Sequence, residues 1–227
     1  MLKLQTRQQL QLARAACADA IAHETRRILV CAGTGCVSSG SLDIYAKLRS
    51  LMQERGLKVS VELAEEPHED VVGLKKCGCH GFCEMGPLVR IEPQGWLYTK
   101  VKLADCEEIV DRTIVAGEHI ERLAYHREGV VFKRQDEIPF YHKQTRVVLE
   151  HCGHIDATSI REYLGLGGYS AFEKALFDMT PDDIINEVSE AALRGRGGGG
   201  FPTGKKWAQV KRQKEPMKYV VCNGDEG

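Results

Sequence analysis

Residues 75–86 read KKCGCHGFCEMG, with Cys77, Cys79 and Cys83 inside seven positions and His80 among them. Clusters and zinc sites usually take four protein ligands, and a redox disulfide takes two. Three cysteines fit neither, so partners must stand elsewhere and one of the three is surplus. Residues 31–36, CAGTGC, supply Cys31 and Cys36, making five candidates for four positions. The pair Cys31-x4-Cys36 can be joined by Cys79-x3-Cys83, by Cys77-x5-Cys83 or by Cys77-x-Cys79, the last cramped for chelating one metal. A two-iron cluster needs two thiolates per iron. Gly33, Gly35 and Gly81 would let the intervening backbone wrap closely round a cofactor. Zinc prefers C-x2-C knuckles, although His80 is available, and a redox disulfide prefers C-x-x-C, which the chain lacks.

Composition narrows the classes. The 227 residues are 43% hydrophobic and 28% charged, with 31 Lys and Arg against 32 Asp and Glu. That balance gives no nucleic-acid footprint and no polybasic membrane anchor. No apolar run is long enough to span a bilayer. The start, MLKLQTRQQLQLARAACADAIAHETRR, lacks the apolar core of a signal peptide, so a cytoplasmic location is expected. Clustered cysteines in a reducing compartment point to metal or catalysis rather than disulfides. Cys17, Cys106, Cys152 and Cys222 have no such spacing and read as small buried hydrophobes.

Working outward, residues 3–23 have helical composition and RILVC (27–31) reads as a strand. A helix is expected from Ser41 with Gly56 at its C-terminal cap, then an alternating strand KVSVEL (58–63). LVRI and WLYTKV flank Pro93-Gln94-Gly95 as a hairpin, and a helix starting near Asp105 closes the unit. This gives an α/β domain over 25–118, after an N-terminal helix over 1–24, with the clustered cysteines on loops at strand ends. Residues 119–144 read as a charged linker. In 145–227, RVVLEHC (146–152) reads as a strand, Ser170 and Glu173 as a capping box, and Thr180-Pro181 as a helix start. Ile184, Ile185, Val188 and Ala192 would line that helix until Gly195, and MKYVVC (217–222) reads as a last strand. A sheet barely begun there implies that the chain, or its domain, continues past Gly227.

Residues 193–207, LRGRGGGGFPTGKKW, contain a formal Gly195-x-Gly197-x-x-Gly200. A dinucleotide fingerprint should follow a strand, whereas a capped helix precedes this one. The near phosphate loop Gly199-x4-Gly204-Lys205 has Lys206 where Ser or Thr should bind magnesium. What remains is physical: successive glycines expose backbone N–H groups and admit a flat ring or a phosphate. Lys205 or Lys206 adds positive charge, and Phe201 offers a stacking face.

CAGTGC followed by CGCHGFCEMGP resembles the thioredoxin-like [2Fe–2S] ferredoxin module that accompanies flavin subunits of NAD-linked hydrogenases, formate dehydrogenases and complex I. That resemblance implies Cys31, Cys36, Cys79 and Cys83 as ligands and leaves Cys77 spare. GRGGGGFPTGKKW and CNGDEG are similar to signatures of the NADH- and FMN-binding subunit of that family. They imply that Gly195, Arg196, Gly197, Gly198 and Gly200 pack on flavin and nicotinamide. By the same likeness Lys206 binds the FMN phosphate, Phe201 stacks on the nucleotide, and Asn223, Asp225 and Glu226 line the flavin site. Gly199 stands where the family usually has Ala, and Gln209 where some members carry an aromatic residue. The expected fold is therefore α/β: a thioredoxin-like [2Fe–2S] domain, then the start of an α/β FMN/NADH-binding domain. The expected function is NAD(P)H oxidation through FMN to iron–sulfur clusters, with other redox subunits as partners and no nucleic acid or membrane insertion. Fusion of the two modules favours the hydrogenase or formate dehydrogenase branch over a complex I subunit. A stand-alone [2Fe–2S] module and a zinc-stabilised domain are the rivals. Any [4Fe–4S] clusters are expected only beyond Gly227, and this chain is expected not to be active alone.

Overall fold

The apolar run RILVC forms strand β1 (Arg27–Cys31), the central strand of a five-stranded sheet in the computed structural model, which describes residues 3–24, 26–63 and 71–221. β1 runs parallel to β3 (Val71–Cys77), which runs parallel to the edge strand β2 (Lys58–Ser60). On its other side β1 pairs antiparallel with β4 (Val89–Glu92), and β4 with β5 (Trp96–Tyr98) across the turn at Gly95, φ 71°. The order β3-β1-β4-β5, with a parallel pair followed by an antiparallel hairpin, is the thioredoxin-like arrangement expected from the motifs.

Both faces of β1 are covered, so the strand reads as a continuous apolar run rather than an alternation. Ile28 and Val30 pack on one face with Ile44, Leu48 and Met52 of α3 (Ser41–Glu54). The same cluster takes Ile109 and Val110 from a helical segment that starts as α4 (Cys106–Glu108) and widens into π turns over Ile109–Val115. Leu29 and Cys31 face the other way, against Leu88, Leu97, Ile138 and Tyr141. A helix α1 (Arg7–His23) is capped by the Thr6 hydroxyl, which accepts from Gln9 N at 3.2 Å. Its Cys17 and Ala20 cluster with Leu63 and with Leu164 of α6 (Ile160–Gly165). Gly165 permits that approach: a Cβ there would lie 2.8 Å from the Cys17 carbonyl oxygen.

Strand β3 has no counterpart in the expected elements. Its middle residue, Lys75, is fully buried, with Nζ 3.0 Å from Glu24 Oε1 and 3.9 Å from Glu162 Oε1. The contact is an ion pair by distance and is not aligned as a hydrogen bond. Two acids from outside the sheet thus make a lysine acceptable inside it. Because β3 extends to Cys77, that residue ends a strand instead of lying on a loop, as does Cys31, while Cys36 lies in a short helix α2 (Thr34–Ser38).

Residues 119–144, expected as a linker, instead bury Ile120, Leu123, Ala124, Gln135, Ile138 and Tyr141. They also form the hairpin of β6 (Tyr125–Arg127) and β7 (Val130–Phe132) and the turn of helix α5 (Pro139–His142). The apolar residues in this charged stretch cover the open face of β1. RVVLEHC forms turns and no strand, with Val147, Val148 and Leu149 exposed and no neighbouring strand to pair with.

The chain divides into two units, Met1–Gly168 and Tyr169–Gly227. In the second, helix α7 (Ser170–Asp178) starts at Ser170 itself, preceded by Tyr169 in the left-handed region at φ 63°, so Ser170 is inside the helix and not its cap. Helix α8 (Pro181–Glu190) has the expected start: Thr180 and Asp183 form a reciprocal capping box with Pro181 at the first position. It stops at Glu190, short of Gly195, and Ala192 is exposed at φ 52° rather than on the helix face. Helix α9 (Thr203–Lys211) follows the glycine run. Residues 217–221 form no strand, and Tyr219, Val220 and Val221 are exposed. Cys222, Asn223, Asp225 and Glu226 lie outside the described residues. No helix among the described residues is long and apolar enough to cross a membrane.

Candidate functional site

Cys31 and Cys77 are register partners at the ends of the parallel strands β1 and β3. The segments that follow them, 32–36 and 78–83, therefore leave the sheet at one edge, where α/β sheets commonly place their sites. The two segments touch through glycines. A Cβ on Gly33 would lie 2.8 Å from Cys79 Cβ, and one on Gly35 would lie 3.2 Å from Cys83 Cβ. Gly86 is as tight, with a Cβ only 2.7 Å from Cys36 Sγ. Side chains at these three positions would push the cysteine-bearing loops apart.

Two sulfur pairs result. Cys31 and Cys36 are both buried; the neighbouring Cys36 thiol draws the Cys31 thiol down to about 6, and Cys31 in turn pushes Cys36 up. Cys79 and Cys83, both exposed, have their sulfurs 3.7 Å apart. Two thiolates on one tetrahedral metal with bonds of about 2.3 Å stand about 3.8 Å apart, so this pair has the spacing of a chelate. Gly81 at φ 79° turns the loop, and its N–H donates to Cys79 Sγ at 3.3 Å. Among the described residues no three His, Cys, Asp or Glu side chains converge on a single ion. The arrangement is two pairs on facing loops.

Cys77 is placed differently. It is buried, and its sulfur lies 3.3 Å from His80 Nε2. Burial pushes the Cys77 thiol up and draws His80 down to about 3, so at neutral pH both groups are uncharged. His80 is fully buried, and the backbone that passes its ring is Gly153 at φ 86°, where a Cβ would come within 2.6 Å of Nδ1. Arg146 donates to the His80 carbonyl. Phe82 stacks on Phe140 at 4.8 Å and meets Tyr125 and Tyr141 edge-on at 5.3 and 5.5 Å. Each such ring pair is worth about 0.5–1.5 kcal/mol beyond burial. The loop carrying Cys79 and Cys83 is thus strapped from outside by residues 125–153. Sequence reasoning offered His80 only as a candidate zinc ligand and missed Phe82, Tyr141, Arg146 and Gly153 as neighbours of the site; the aromatic residues of EIPFYH were an available signal.

In the second unit the glycine run is a closed loop. Arg194 and Pro202 form an antiparallel bridge, Gly195 N–H donates to Phe201 O at 2.9 Å, and Thr203 N–H donates to Leu193 O at 2.9 Å. Gly198 and Gly200 take φ of 98° and 58°, a region that costs other residues about 1–2 kcal/mol. Open space surrounds the Cβ positions of Gly198, Gly199 and Gly200. The loop opens helix α9, whose Gly204 packs so tightly on Ser189 of α8 that a Cβ would overlap its hydroxyl. Lys206 Nζ lies 5.9 Å from the Phe201 ring centre, and Arg196, Phe201 and Lys206 are all exposed. The structure therefore brings Gly195, Arg196, Gly197, Gly198, Gly200, Phe201 and Lys206 together around one helix N-terminus.

Residues 188–227 match the Nuo51 FMN-binding domain, which includes this glycine loop. Part of the chain is similar to subunits of an NADP-reducing hydrogenase and of NADH-quinone oxidoreductases. It is 48% identical over 85 residues to the HndC component of the NADP-reducing hydrogenase of Solidesulfovibrio fructosivorans, covering 37% of this chain and 17% of that one. It is 56% identical over 68 residues to the F component of the NADH-quinone oxidoreductase of Aquifex aeolicus, covering 30% and 16%. The chain spans less than a fifth of the length of these curated relatives. Among solved structures it is similar to the thioredoxin-like [2Fe–2S] ferredoxin of Aquifex aeolicus, at 26% identity over 46% of this chain and 99% of that one, TM-score 0.36. It is also similar to an NAD+-reducing [NiFe]-hydrogenase, at 17% identity over 98% of this chain and 36% of that one, TM-score 0.35.

Proposed function

We propose that this chain is the electron-input part of an NAD(P)H oxidoreductase, with a [2Fe–2S] site in the first unit and part of an FMN and NAD(P)H site in the second. The observation that supports it most is the convergence of two cysteine-bearing loops, 31–36 and 79–83, held together through Gly33 and Gly35, with the Cys79 and Cys83 sulfurs 3.7 Å apart. Cys31, Cys36, Cys79 and Cys83 are the proposed ligands. Bound FMN would supply hydride exchange with the nicotinamide, and a bound cluster would relay single electrons.

The protein's part is to bind, orient and shield. The N-terminus of α9 and the exposed backbone at Gly198 and Gly200 form a cradle for a phosphate or a flat ring. Lys206 adds charge for the FMN phosphate and Phe201 a face for stacking. Arg196, Gly195 and Gly197 complete the loop, and Asn223, Asp225 and Glu226 are proposed to line the flavin. Bound flavin and nicotinamide would supply the hydride exchange themselves, so no side chain is assigned as acid or base. Presence of both modules on one chain supports a hydrogenase or formate dehydrogenase assembly, with further redox subunits as partners.

The test is electron delivery in the full-length protein holding FMN. Anaerobic addition of NADH or NADPH should raise the reduced-cluster EPR signal, and Lys206→Ala should weaken FMN binding about tenfold, the scale of one charge-assisted phosphate contact. A cluster that dithionite reduces and neither nucleotide does would favour a stand-alone electron-transfer module.

A further inference from the structure

The hydroxyl of Tyr141 is buried and, among the described residues, has no hydrogen-bond partner. Its residue is 8% exposed and packs in the apolar layer that holds Cys31, Cys36 and Leu88. An unpaired O–H in the interior is costly, and buried tyrosines normally find a partner. Phenylalanine would fill the same ring site without that cost, so the oxygen needs an explanation. The ring is well held: the Arg146 guanidinium stands 5.2 Å from its centre, with Phe82 and Phe140 edge-on at 5.5 and 5.1 Å.

Tyr141 shares its apolar cluster with Cys31 and Cys36, and its ring meets Phe82, which stands between Cys79 and Cys83 in the chain. The unpaired donor is therefore carried by a ring packed among residues of both cysteine loops. Burial pushes the phenol above its ordinary value, which keeps the proton on the oxygen as a donor.

The geometry points to Tyr141 as a potential-setting residue: its O–H donates a hydrogen bond to a sulfur of the [2Fe–2S] group held by Cys31, Cys36, Cys79 and Cys83. This rests on the cluster reading above. Reduction adds negative charge to the sulfurs, and a donor bonds more strongly to the more negative acceptor. Tyr141 accordingly raises the reduction potential, one of the recognised controls on such centres.

The test is Tyr141→Phe in the holoprotein, read by EPR-monitored redox titration. Cluster content should be unchanged, the g-values should move, and the potential should fall by about 59 mV, a tenfold change in the equilibrium constant of a one-electron couple. An unchanged potential and spectrum with the cluster bound overturns the proposal. Should the variant lose the cluster or fail to fold, the wild type gives the answer. With ring-deuterated tyrosine, pulsed electron–nuclear double resonance of the reduced centre should detect the ring deuterons that flank a phenol oxygen bonded to the cluster, and their absence overturns the proposal. Absence of any two-iron signal in the wild type would instead sink the cluster reading itself.

Discussion

His80 Nε2 stands 3.3 Å from Cys77 Sγ in the interior of the first unit, and this contact occupies the cysteine that the family resemblance leaves spare. Cys77 lies next to Cys31 in register and would otherwise be a competitor for the same metal. Cys77→Ser should therefore keep full iron content with a stability loss of about 1–2 kcal/mol. Cys79→Ser should lose the cluster. Iron and sulfide analysis of the two variants decides between them, and loss of iron in the Cys77 variant would reverse the assignment.

Gly153 is the backbone that makes room for the His80 ring, at a left-handed φ of 86°. Gly153→Val should cost at least the about 1–2 kcal/mol of the φ alone. The ring must also shift, since a Cβ would sit 2.6 Å from Nδ1. Urea denaturation measures the first effect. A changed visible spectrum of the cluster reports the second, because His80 adjoins Cys79.

The buried cluster Glu24, Lys75 and Glu162 predicts a pH dependence. Burial raises the Glu162 carboxyl above its ordinary 4.5. An acid raised in the folded state keeps a proton that the unfolded chain releases. Its contribution to stability is present below the ordinary value and is lost as pH rises through the raised one. Glu162→Gln should remove that decline, matching wild type near about pH 4 and exceeding it near about pH 8, in denaturant titrations at both. A Gln variant weaker at the higher pH would show that attraction to Lys75 outweighs burial. Lys75→Met strands both carboxylates and should cost about 3–5 kcal/mol.

The glycine loop separates conformation from space. Gly198 has φ 98° and Gly199 an ordinary φ, with open space at both. Gly199→Ala should be neutral within about 0.5 kcal/mol, and Gly198→Ala should cost about 1–2 kcal/mol. Thermal denaturation gives both values, and equal effects would show that the loop conformation is not the constraint.

The sequence-based reading placed β1, α3, the hairpin and the Thr180 cap because each rests on local rules: an apolar run, a 3.6 period, a turn triplet, a capping box. It missed β3 because Lys75 and Lys76 break the apolar pattern, and only the distant Glu24 and Glu162 make Lys75 acceptable in a core. It took residues 119–144 for a linker because their charges are local whereas the contacts of Ile138 and Tyr141 with β1 are not. RVVLEHC has strand composition without a partner strand, and composition cannot supply one. For the site, spacing reduced five cysteines to a few pairings. The contacts of Cys77 with His80, and of Gly33 and Gly35 with Cys79 and Cys83, are tertiary facts that spacing does not contain.

The most direct test is metal analysis and EPR of the chain reconstituted anaerobically with iron and sulfide. Two irons and two acid-labile sulfides per chain are expected, with a spin-half signal on reduction. Cys31→Ser, Cys36→Ser, Cys79→Ser or Cys83→Ser should abolish that signal, and Cys77→Ser should keep it. A colourless protein holding one zinc per chain, or a signal that depends on Cys77, would contradict the two-iron assignment.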